Sequence, residues 1–185
     1  MGTNSASLSD VHRLSPNIYS DDRGFFFEAF SARQIKKELD RHFEVAQVNQ
    51  SYSHAGVLRG LHYQSGAQAQ SKLVRLLEGK IQDVVVDMRK YSEDFGRWKS
   101  SNLSEPQRDL LLVPKGFAHG FLVESEYAVV EYLVDVPYCP DSEVCLLWND
   151  PSVGIEWRCG SEPVMSIKDQ EGKLFNECPF FIDLV

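Results

Sequence analysis

Short apolar segments separated by glycine and proline recur along the middle of the chain and constrain its fold more than any other feature. The strongest of them contains Val84-Val85-Val86, whose β-branched side chains favour a strand buried on both faces. Further strands are predicted over 43–49, 110–113, 116–123 and 127–136. Many short strands at this spacing predict an all-β sandwich or barrel of the jelly-roll type.

Two local patterns refine this prediction. Residues 72–77 and 80–88 are both strand-like, and the Glu78-Gly79 pair between them favours a hairpin with glycine at its turn. Residues 31–40 form the one helical pattern, because Ser31 is a suitable N-cap and Ile35 and Leu39 share a face. We therefore expect one or two short helices at the periphery of the β-structure.

The composition argues against several classes of function. A net charge of −8 on 185 residues speaks against a broad nucleic-acid-binding surface. No apolar run approaches the ~20 residues of a membrane span. Residues 1–10 lack the basic and apolar regions of a signal peptide. We expect a flexible tail over residues 1–15 and a single domain over residues 16–185.

The cysteines bear on the compartment. Their spacing fits neither a zinc site nor a small disulfide framework, and it favours reduced thiols in a cytoplasmic protein. The four positions are Cys139, Cys145, Cys159 and Cys178.

One segment, Val57-Leu58-Arg59-Gly60-Leu61-His62-Tyr63-Gln64, places an arginine and a histidine on a predicted strand, and Lys72 begins the next one. Side chains alternate along a strand, so Arg59 is expected on one face and Gly60 and His62 on the other. An ionisable group among apolar neighbours is either a core residue with its hydrogen bonds formed or a functional residue. Three of them within fourteen positions favour a functional site.

Five side chains are candidates for chemistry. His62 can accept a proton from a carbon next to a carbonyl near neutral pH, and Lys72 can place a cation beside a developing enolate oxygen. Tyr132, on a buried-looking strand, can donate a proton, and Asp169 can orient a histidine. His119 is followed by a glycine that lets a ligand or another strand approach. Each also has a purely structural interpretation, such as a hydrogen-bonded core histidine, a solvated lysine, a packed tyrosine or an exposed acid.

A catalytic metal is not expected. Metal-binding jelly rolls usually carry a His-x-His pair with a carboxylate and a third histidine, whereas His62 stands alone in its motif. The sequence leaves open whether His54, His62 and His119 converge. There is no glycine-rich phosphate loop, so a phosphate has to be held by side chains such as Arg23 and Arg59.

Six motifs follow one another along the chain. They are Asp22-Arg23-Gly24-Phe25-Phe26-Phe27-Glu28, Gln47-Val48-Asn49, residues 57–64, Lys72-Leu73-Val74-Arg75, Gly116-Phe117-Ala118-His119-Gly120-Phe121 and Trp148-Asn149-Asp150. In this order they resemble the motifs of the dTDP-4-dehydrorhamnose 3,5-epimerase family. The resemblance extends over residues 16–169 and implies a cupin-type jelly roll that uses no metal and no cofactor. It also implies a dTDP-linked 4-keto-6-deoxysugar as substrate, a homodimer with a partly exchanged strand, and a place in dTDP-L-rhamnose biosynthesis.

The resemblance implies a role for each matching residue. His62 matches the general base and Asp169 the acid that orients it. Tyr132 matches the general acid on the opposite face of the sugar, and Lys72 the group that stabilises the enolate at the C4 oxygen. Tyr138 matches a tyrosine that stacks on thymine. The other matches bind the nucleotide, the diphosphate or the sugar, and they are Arg23, Glu28, Gln47, Asn49, Arg59, His119, Glu143 and Lys168.

Double inversion at C3 and C5 through an enolate is the favoured function, and three alternatives remain open. Related epimerases invert only C3 or only C5. A sugar-nucleotide 3,4-ketoisomerase on the same fold is expected to use a histidine pair. A non-catalytic sugar-nucleotide binding module has no need of an acid and a base together.

Overall fold

The computed structural model describes residues 8–39 and 42–182, and these ranges are rich in strands. The α-helices are α1 (Ala32–Leu39) and α2 (Ile167–Gln170). The strands are β1 (His12–Leu14), β2 (Ile18–Asp21), β3 (Gly24–Phe27), β4 (Gln47–His54), β5 (Leu58–Gln64), β6 (Lys72–Glu78), β7 (Lys80–Asp87), β8 (Trp98–Ser104), β9 (Leu110–Val113), β10 (Phe117–Val123), β11 (Tyr127–Val134) and β12 (Glu143–Cys145).

Two five-stranded antiparallel sheets form the body of the molecule. The first has the order β1-β9-β6-β11-β4 and the second the order β12-β5-β10-β7-β8. One apolar cluster joins them, with Val74 and Val130 from the first sheet and Val85, Phe117 and Phe121 from the second. This arrangement confirms the predicted β-sandwich with short peripheral helices.

The outer face of each sheet is also covered. The helix α1 packs Ile35 against the first sheet, and the Ser31 side chain accepts a hydrogen bond from the Gln34 amide at 3.3 Å, as its predicted capping role requires. The C-terminal segment places Phe181 on the second sheet beside Val84 and Val86. Burial on both faces explains why residues 84–86 are apolar without alternation. Asp40, at the predicted end of α1, lies outside the described residues.

The predicted hairpin is wrong in one respect. Strands do cover most of residues 72–88, but β6 belongs to the first sheet and β7 to the second, so they do not pair with each other. Gly79 carries the chain across the sandwich with a φ of 91°. A side chain at this position would collide with the carbonyl oxygen of Tyr127. The glycine signal identified the turn, whereas strand pairing depends on partners distant in sequence.

The amino-terminal segment differs from the expected tail. Residues 1–7 lie outside the described part of the chain. From residue 8 onward the segment belongs to the fold, because β1 pairs with β9 and Val11 is buried in the central core. A short strand with few apolar residues gives little sequence signal, which is why the tail was expected to reach residue 15.

Candidate active site

A cavity of about 370 Å³ opens between the two sheets and collects most of the predicted site residues. Strands of both sheets, the loop around Tyr138 and the helix α2 contribute to its wall. The predicted residues that line it are Asn49, Arg59, His62, Lys72, His119, Tyr132, Tyr138, Glu143, Lys168 and Asp169.

The strand β5 directs both Arg59 and His62 into this cavity, which corrects the prediction that they point to opposite faces. Opposite β10, His62 pairs with His119 and Arg59 pairs with Phe121, so three steps along β5 match two along β10. The extra residue is a β-bulge, and it shifts the alternation of side chains by one. A side chain at Gly60 would lie 2.7 Å from the backbone of the facing strand, so only glycine fits there.

His62 and Asp169 form a hydrogen-bonded pair at the cavity wall. His62 Nε2 donates to Asp169 Oδ1 at 2.6 Å, which leaves Nδ1 as the nitrogen that can accept a proton. Asp169 lies on α2, where Ser166 caps the helix by accepting from the Asp169 amide at 3.2 Å. Burial opposes ionisation of Asp169, yet the hydrogen bond and the positive charge that His62 can carry hold its pKa below the ordinary value.

Lys72 extends from the start of β6 toward the strand that carries His62. Its ammonium group donates to the His62 carbonyl oxygen at 3.1 Å. Loss of solvent around the ammonium lowers the pKa of Lys72 to about 8, against the opposing attraction of Glu143 and Asp83. The lysine therefore remains mostly charged at neutral pH, as an electrostatic stabiliser of an oxyanion must.

Tyr132 presents its hydroxyl to the same cavity from β11. The hydroxyl lies 3.4 Å from Ser51 Oγ. Burial, with a smaller contribution from the negative charge of Asp83, raises the pKa of Tyr132 above its ordinary value. The phenol is protonated throughout the physiological pH range and can act as a proton donor.

A second histidine–aspartate pair lies deeper in the sandwich. His119 Nε2 and Asp83 Oδ2 are 2.7 Å apart, and both side chains are buried. Asp83 Oδ1 is also buried and has no hydrogen-bond partner among the described residues. Sequence reasoning missed Asp83, although an acid directly before Val84-Val85-Val86 was a detectable signal of a functional or paired charge.

The cavity mouth is polar. Lys168 forms an ion pair with Glu143, which also accepts a hydrogen bond from the Tyr138 hydroxyl at 2.6 Å. Gln47 lies beside the lining residues rather than among them. Its side chain accepts from the Tyr138 amide at 3.0 Å and donates to Asn49 at 2.6 Å. Tyr138 is half exposed, so part of its ring is accessible to a ligand.

Arg59 lies in the cavity wall as a fixed cation. It donates to Ser53 Oγ at 2.9 Å and to the Tyr52 carbonyl oxygen at 3.2 Å. These two contacts orient the guanidinium, and its planar fork suits a phosphate oxygen.

Two predicted site residues are not brought to this cavity. Arg23 lies at the tip of the two-stranded β2–β3 sheet, where its side chain is 90% exposed and pairs with Asp21. Glu28 follows β3 and lines a separate small cleft near α1. Their distance from the cavity has a physical cause, since β2 and β3 pair with each other and join neither large sheet among the described residues.

Cys145 lies beside two of the cavity residues, His62 and Asp169, and nothing in the sequence indicated this position. It pairs directly opposite His62 across β12 and β5, and its sulfur lies 3.8 Å from Asp169 Oδ1. Burial, followed by the negative charge of Asp169, raises the pKa of Cys145 to about 12. Within the described ranges, the cysteines form no disulfide and no helix has the length and apolarity to cross a membrane.

The sandwich and its cavity together define a class: a cupin-type jelly roll in which a histidine, a tyrosine and a lysine line one cavity. The family model for dTDP-4-dehydrorhamnose 3,5-epimerase matches residues 5–177. The chain belongs to this family.

Individual relatives agree with that assignment. The chain is 43% identical over 171 residues to a dTDP-4-dehydrorhamnose 3,5-epimerase of Salmonella typhimurium strain LT2, covering 92% of this chain and 93% of the relative. It is similar to the crystal structure of a Legionella pneumophila dTDP-6-deoxy-D-glucose-3,5-epimerase in complex with dTDP-4-keto-L-rhamnose. That match has a TM-score of 0.91 and 40% identity, and covers 95% of each chain.

The chain is also similar to the structure of an enzyme that is named for epimerisation at a single position. It is ChmJ, a 3'-monoepimerase from Streptomyces bikiniensis in complex with dTDP-quinovose. The match has a TM-score of 0.85 and 32% identity, and covers 90% of this chain and 84% of the other.

Proposed function

We propose that this protein epimerises dTDP-4-keto-6-deoxy-D-glucose at C3 and C5 to give dTDP-4-keto-L-rhamnose, in dTDP-L-rhamnose biosynthesis. The observation that carries the proposal is the convergence of the His62–Asp169 pair, Lys72 and Tyr132 on one cavity. The dTDP-4-keto-L-rhamnose in the Legionella relative supports the same substrate class.

The reaction follows from these groups. The C4 ketone acidifies the protons on C3 and C5, so His62 Nδ1 removes one of them while Asp169 stabilises the resulting imidazolium. The electron pair moves onto the C4 oxygen, and Lys72 stabilises this enolate by its charge. Tyr132 then delivers a proton to the opposite face of the same carbon, which inverts it. Solvent restores the protonation states of His62 and Tyr132, and no redox step is needed.

The remaining cavity residues hold the nucleotide and the diphosphate, which do not change during the reaction. Arg59 and Lys168 supply positive charge for the phosphates, and Tyr138 offers its exposed ring to the thymine. Glu143 fixes Lys168 and Tyr138 through its two contacts. In our proposal His119, Gln47 and Asn49 complete the sugar and nucleotide contacts.

We further propose a homodimer that completes the site. The β2–β3 sheet exposes Tyr19, Phe25 and Phe26, and Phe26 is 72% exposed. Such aromatic surface on an isolated hairpin is suited to packing against a second copy. The hairpin then carries Arg23 and Glu28 toward the partner's cavity, which gives these two residues the binding role that the family resemblance implies. The reduced thiols agree with a cytoplasmic location.

A single-site epimerase is the second candidate, and the similarity to the ChmJ 3'-monoepimerase favours keeping it. One experiment separates the two functions. The protein is incubated with dTDP-4-keto-6-deoxy-D-glucose in deuterated water, and the product is analysed by NMR. We expect deuterium and inverted configuration at both C3 and C5. Inversion at only one of them establishes the narrower activity, and the absence of exchange at both refutes the proposed function.

A further inference from the structure

Three potential metal ligands meet at the edge of the cavity. One ligand atom each from His62, Cys145 and Asp169 lies within 4.8 Å of the other two. We propose that these residues form an inhibitory binding site for a soft divalent cation such as Zn²⁺ or Cd²⁺. Binding is independent of the proposed function, whereas the inhibition rests on it.

The backbone fixes two of the ligands on one face. Cys145 on β12 is directly opposite His62 on β5, and directly opposed residues in antiparallel strands project to the same side. Asp169 approaches from the separate helix α2, which is held by its Ser166 cap. The three ligands therefore come from three elements whose positions are set by the sandwich and its C-terminal segment.

The two distances from Asp169 are close to those of a tetrahedral site, and the third, between His62 and Cys145, is no more than 4.8 Å. Asp169 Oδ1 lies 2.6 Å from His62 Nε2 and 3.8 Å from Cys145 Sγ. Zinc–ligand bonds of about 2.0–2.3 Å place tetrahedral ligand atoms roughly 3.3–3.8 Å apart. The carboxylate–sulfur separation already fits, and the histidine–carboxylate pair has to open by less than about 1 Å. The histidine nitrogen and the cysteine sulfur have to approach by no more than about 1.5 Å, and we expect side-chain rotations to supply both movements.

The ligand chemistry selects the cation. A thiolate and an imidazole favour Zn²⁺ and Cd²⁺ over Mg²⁺ and Ca²⁺, which prefer oxygen ligands. The thiol proton of Cys145 is released to solvent on binding. Three protein ligands leave a fourth position for a water molecule or a substrate oxygen.

Occupation of this site is incompatible with proton abstraction. In the cation-free protein the proton of His62 lies on Nε2 and the lone pair on Nδ1 is available. A cation on Nε2 requires the neutral ring to carry its proton on Nδ1, which removes the acceptor. The cation also takes the Asp169 oxygen that stabilises the imidazolium. We therefore expect kcat to fall as the site fills.

The direct test is a titration of the full-length protein with CdCl₂, followed by the ultraviolet charge-transfer band of a cadmium–thiolate bond. We expect one Cd²⁺ per chain with such a band in the unmodified protein. Loss of an outer hydrogen-bond partner alone costs metal sites about 10–100-fold in affinity, so Cys145→Ser should weaken binding by at least about 100-fold and abolish the band.

Cys159→Ser is the matched control. Cys159 is another partly exposed free cysteine, located in a different cleft beside Arg158 and Glu162. The control should retain both the band and the affinity. Cys145→Ala is a second variant in case the serine protein does not fold, and circular dichroism checks each variant. A band that survives in both Cys145 variants, or that disappears in Cys159→Ser, overturns the proposal.

The functional arm measures inhibition by ZnCl₂, with each variant normalised to its own uninhibited rate. The unmodified protein and Cys159→Ser should be inhibited and recover with a chelator, whereas Cys145→Ser should need at least about 100-fold more Zn²⁺. Equal sensitivity of Cys145→Ser overturns the proposal. A protein that shows the cadmium band but no epimerase activity refutes the proposed function and leaves the binding site standing. An active enzyme without the cadmium band refutes the binding site and leaves the proposed function standing.

Discussion

Two histidine–aspartate pairs, one at the cavity wall and one deeper in the sandwich, have nearly equal hydrogen bonds and very different surroundings. The nitrogen–oxygen distance is 2.6 Å in His62–Asp169 and 2.7 Å in His119–Asp83. The His62 side chain is 28% exposed, whereas that of His119 is 3% exposed. A base has to reach its substrate, so the difference in access supports our proposal that His62 abstracts the proton. It also supports the proposed role of His119 as a binding residue that is held in place by Asp83.

The two aspartates differ in the same way. Asp169 lies on a short helix at the cavity edge, whereas Asp83 lies on β7 inside the second sheet. Burial is the main influence on the pKa values of Lys72 and Tyr132, and the charge of Asp83 raises both. The negative charge of Asp83 therefore favours the protonated forms of both the lysine and the tyrosine.

The largest expected effect separates the two histidines. His62→Ala should reduce exchange of the sugar protons with solvent by about 10²–10⁴-fold, because the base is lost at both carbons. His119→Ala should reduce exchange much less and should raise KM, since it removes a fixed contact rather than the base. Deuterium incorporation measured by NMR checks both variants. Equal loss of exchange in the two would contradict the assignment of the base by access.

Tyr132→Phe should have the next largest effect. The phenylalanine keeps the ring and its packing but removes the proton donor, so inversion should slow by a factor near 10², at the lower end of the range for a general acid. Exchange at the original face should persist, because His62 can remove and return a proton without the tyrosine. The ratio of inversion to exchange is the measurement. A variant that stops exchange entirely would show that Tyr132 takes part in proton removal.

A third pair of variants compares the two cavity cations. Lys72→Ala should lower kcat and kcat/KM together, with a loss of about 2–4 kcal/mol, since the enolate charge exists only in the transition state. Arg59→Ala should act chiefly on KM, because the diphosphate has the same charge before and during the reaction. Steady-state kinetics decide between these patterns. If Lys72→Ala raises only KM, the lysine is a binding residue.

Much of the fold could be predicted from local pattern. The unbroken apolar run 84–86 and the capped helix at Ser31 were both recognised, because their signals lie within a few residues. The pairing of β6 and β7 was mispredicted, because a glycine turn looks the same whether the chain pairs back or crosses to another sheet. Only contacts with β11 and β10, distant in sequence, decide between the two outcomes.

The candidate site shows the same limit. Ten of the thirteen site residues that the family resemblance implied line the cavity, and the bulge in β5 reversed the predicted orientation of Arg59. A bulge depends on the facing strand, where Gly120 permits the close approach of Gly60. Cys145 was likewise not identified, because its closeness to His62 arises from the pairing of two strands that are distant in sequence. The spacing of residues within one segment does not predict which distant strands pair.

The two aspartates should differ in their contribution to stability. Asp83→Ala should reduce the free energy of unfolding by about 1.5–3 kcal/mol, because it strands a buried histidine without its charged acceptor. Asp169→Ala should cost less, since the cavity lets water replace the lost partner of His62. Urea denaturation of both variants at pH 7 gives the comparison. A smaller loss for Asp83→Ala would mean that the deep pair is not buried in solution.

The smallest effect is a pH dependence that links the deep pair to Lys72. Burial lowers the pKa of Lys72 to about 8, so its charge is present below pH 8 and is lost as the pH rises through that value. We therefore expect kcat/KM, which reports the ligand-free protein, to decline above about pH 8, and the Lys72→Ala variant to lack this decline in its remaining activity. Asp83→Asn removes a negative charge that supports the ammonium, so it should move the decline to lower pH. An unchanged profile in Asp83→Asn would show that Asp83 acts on His119 alone.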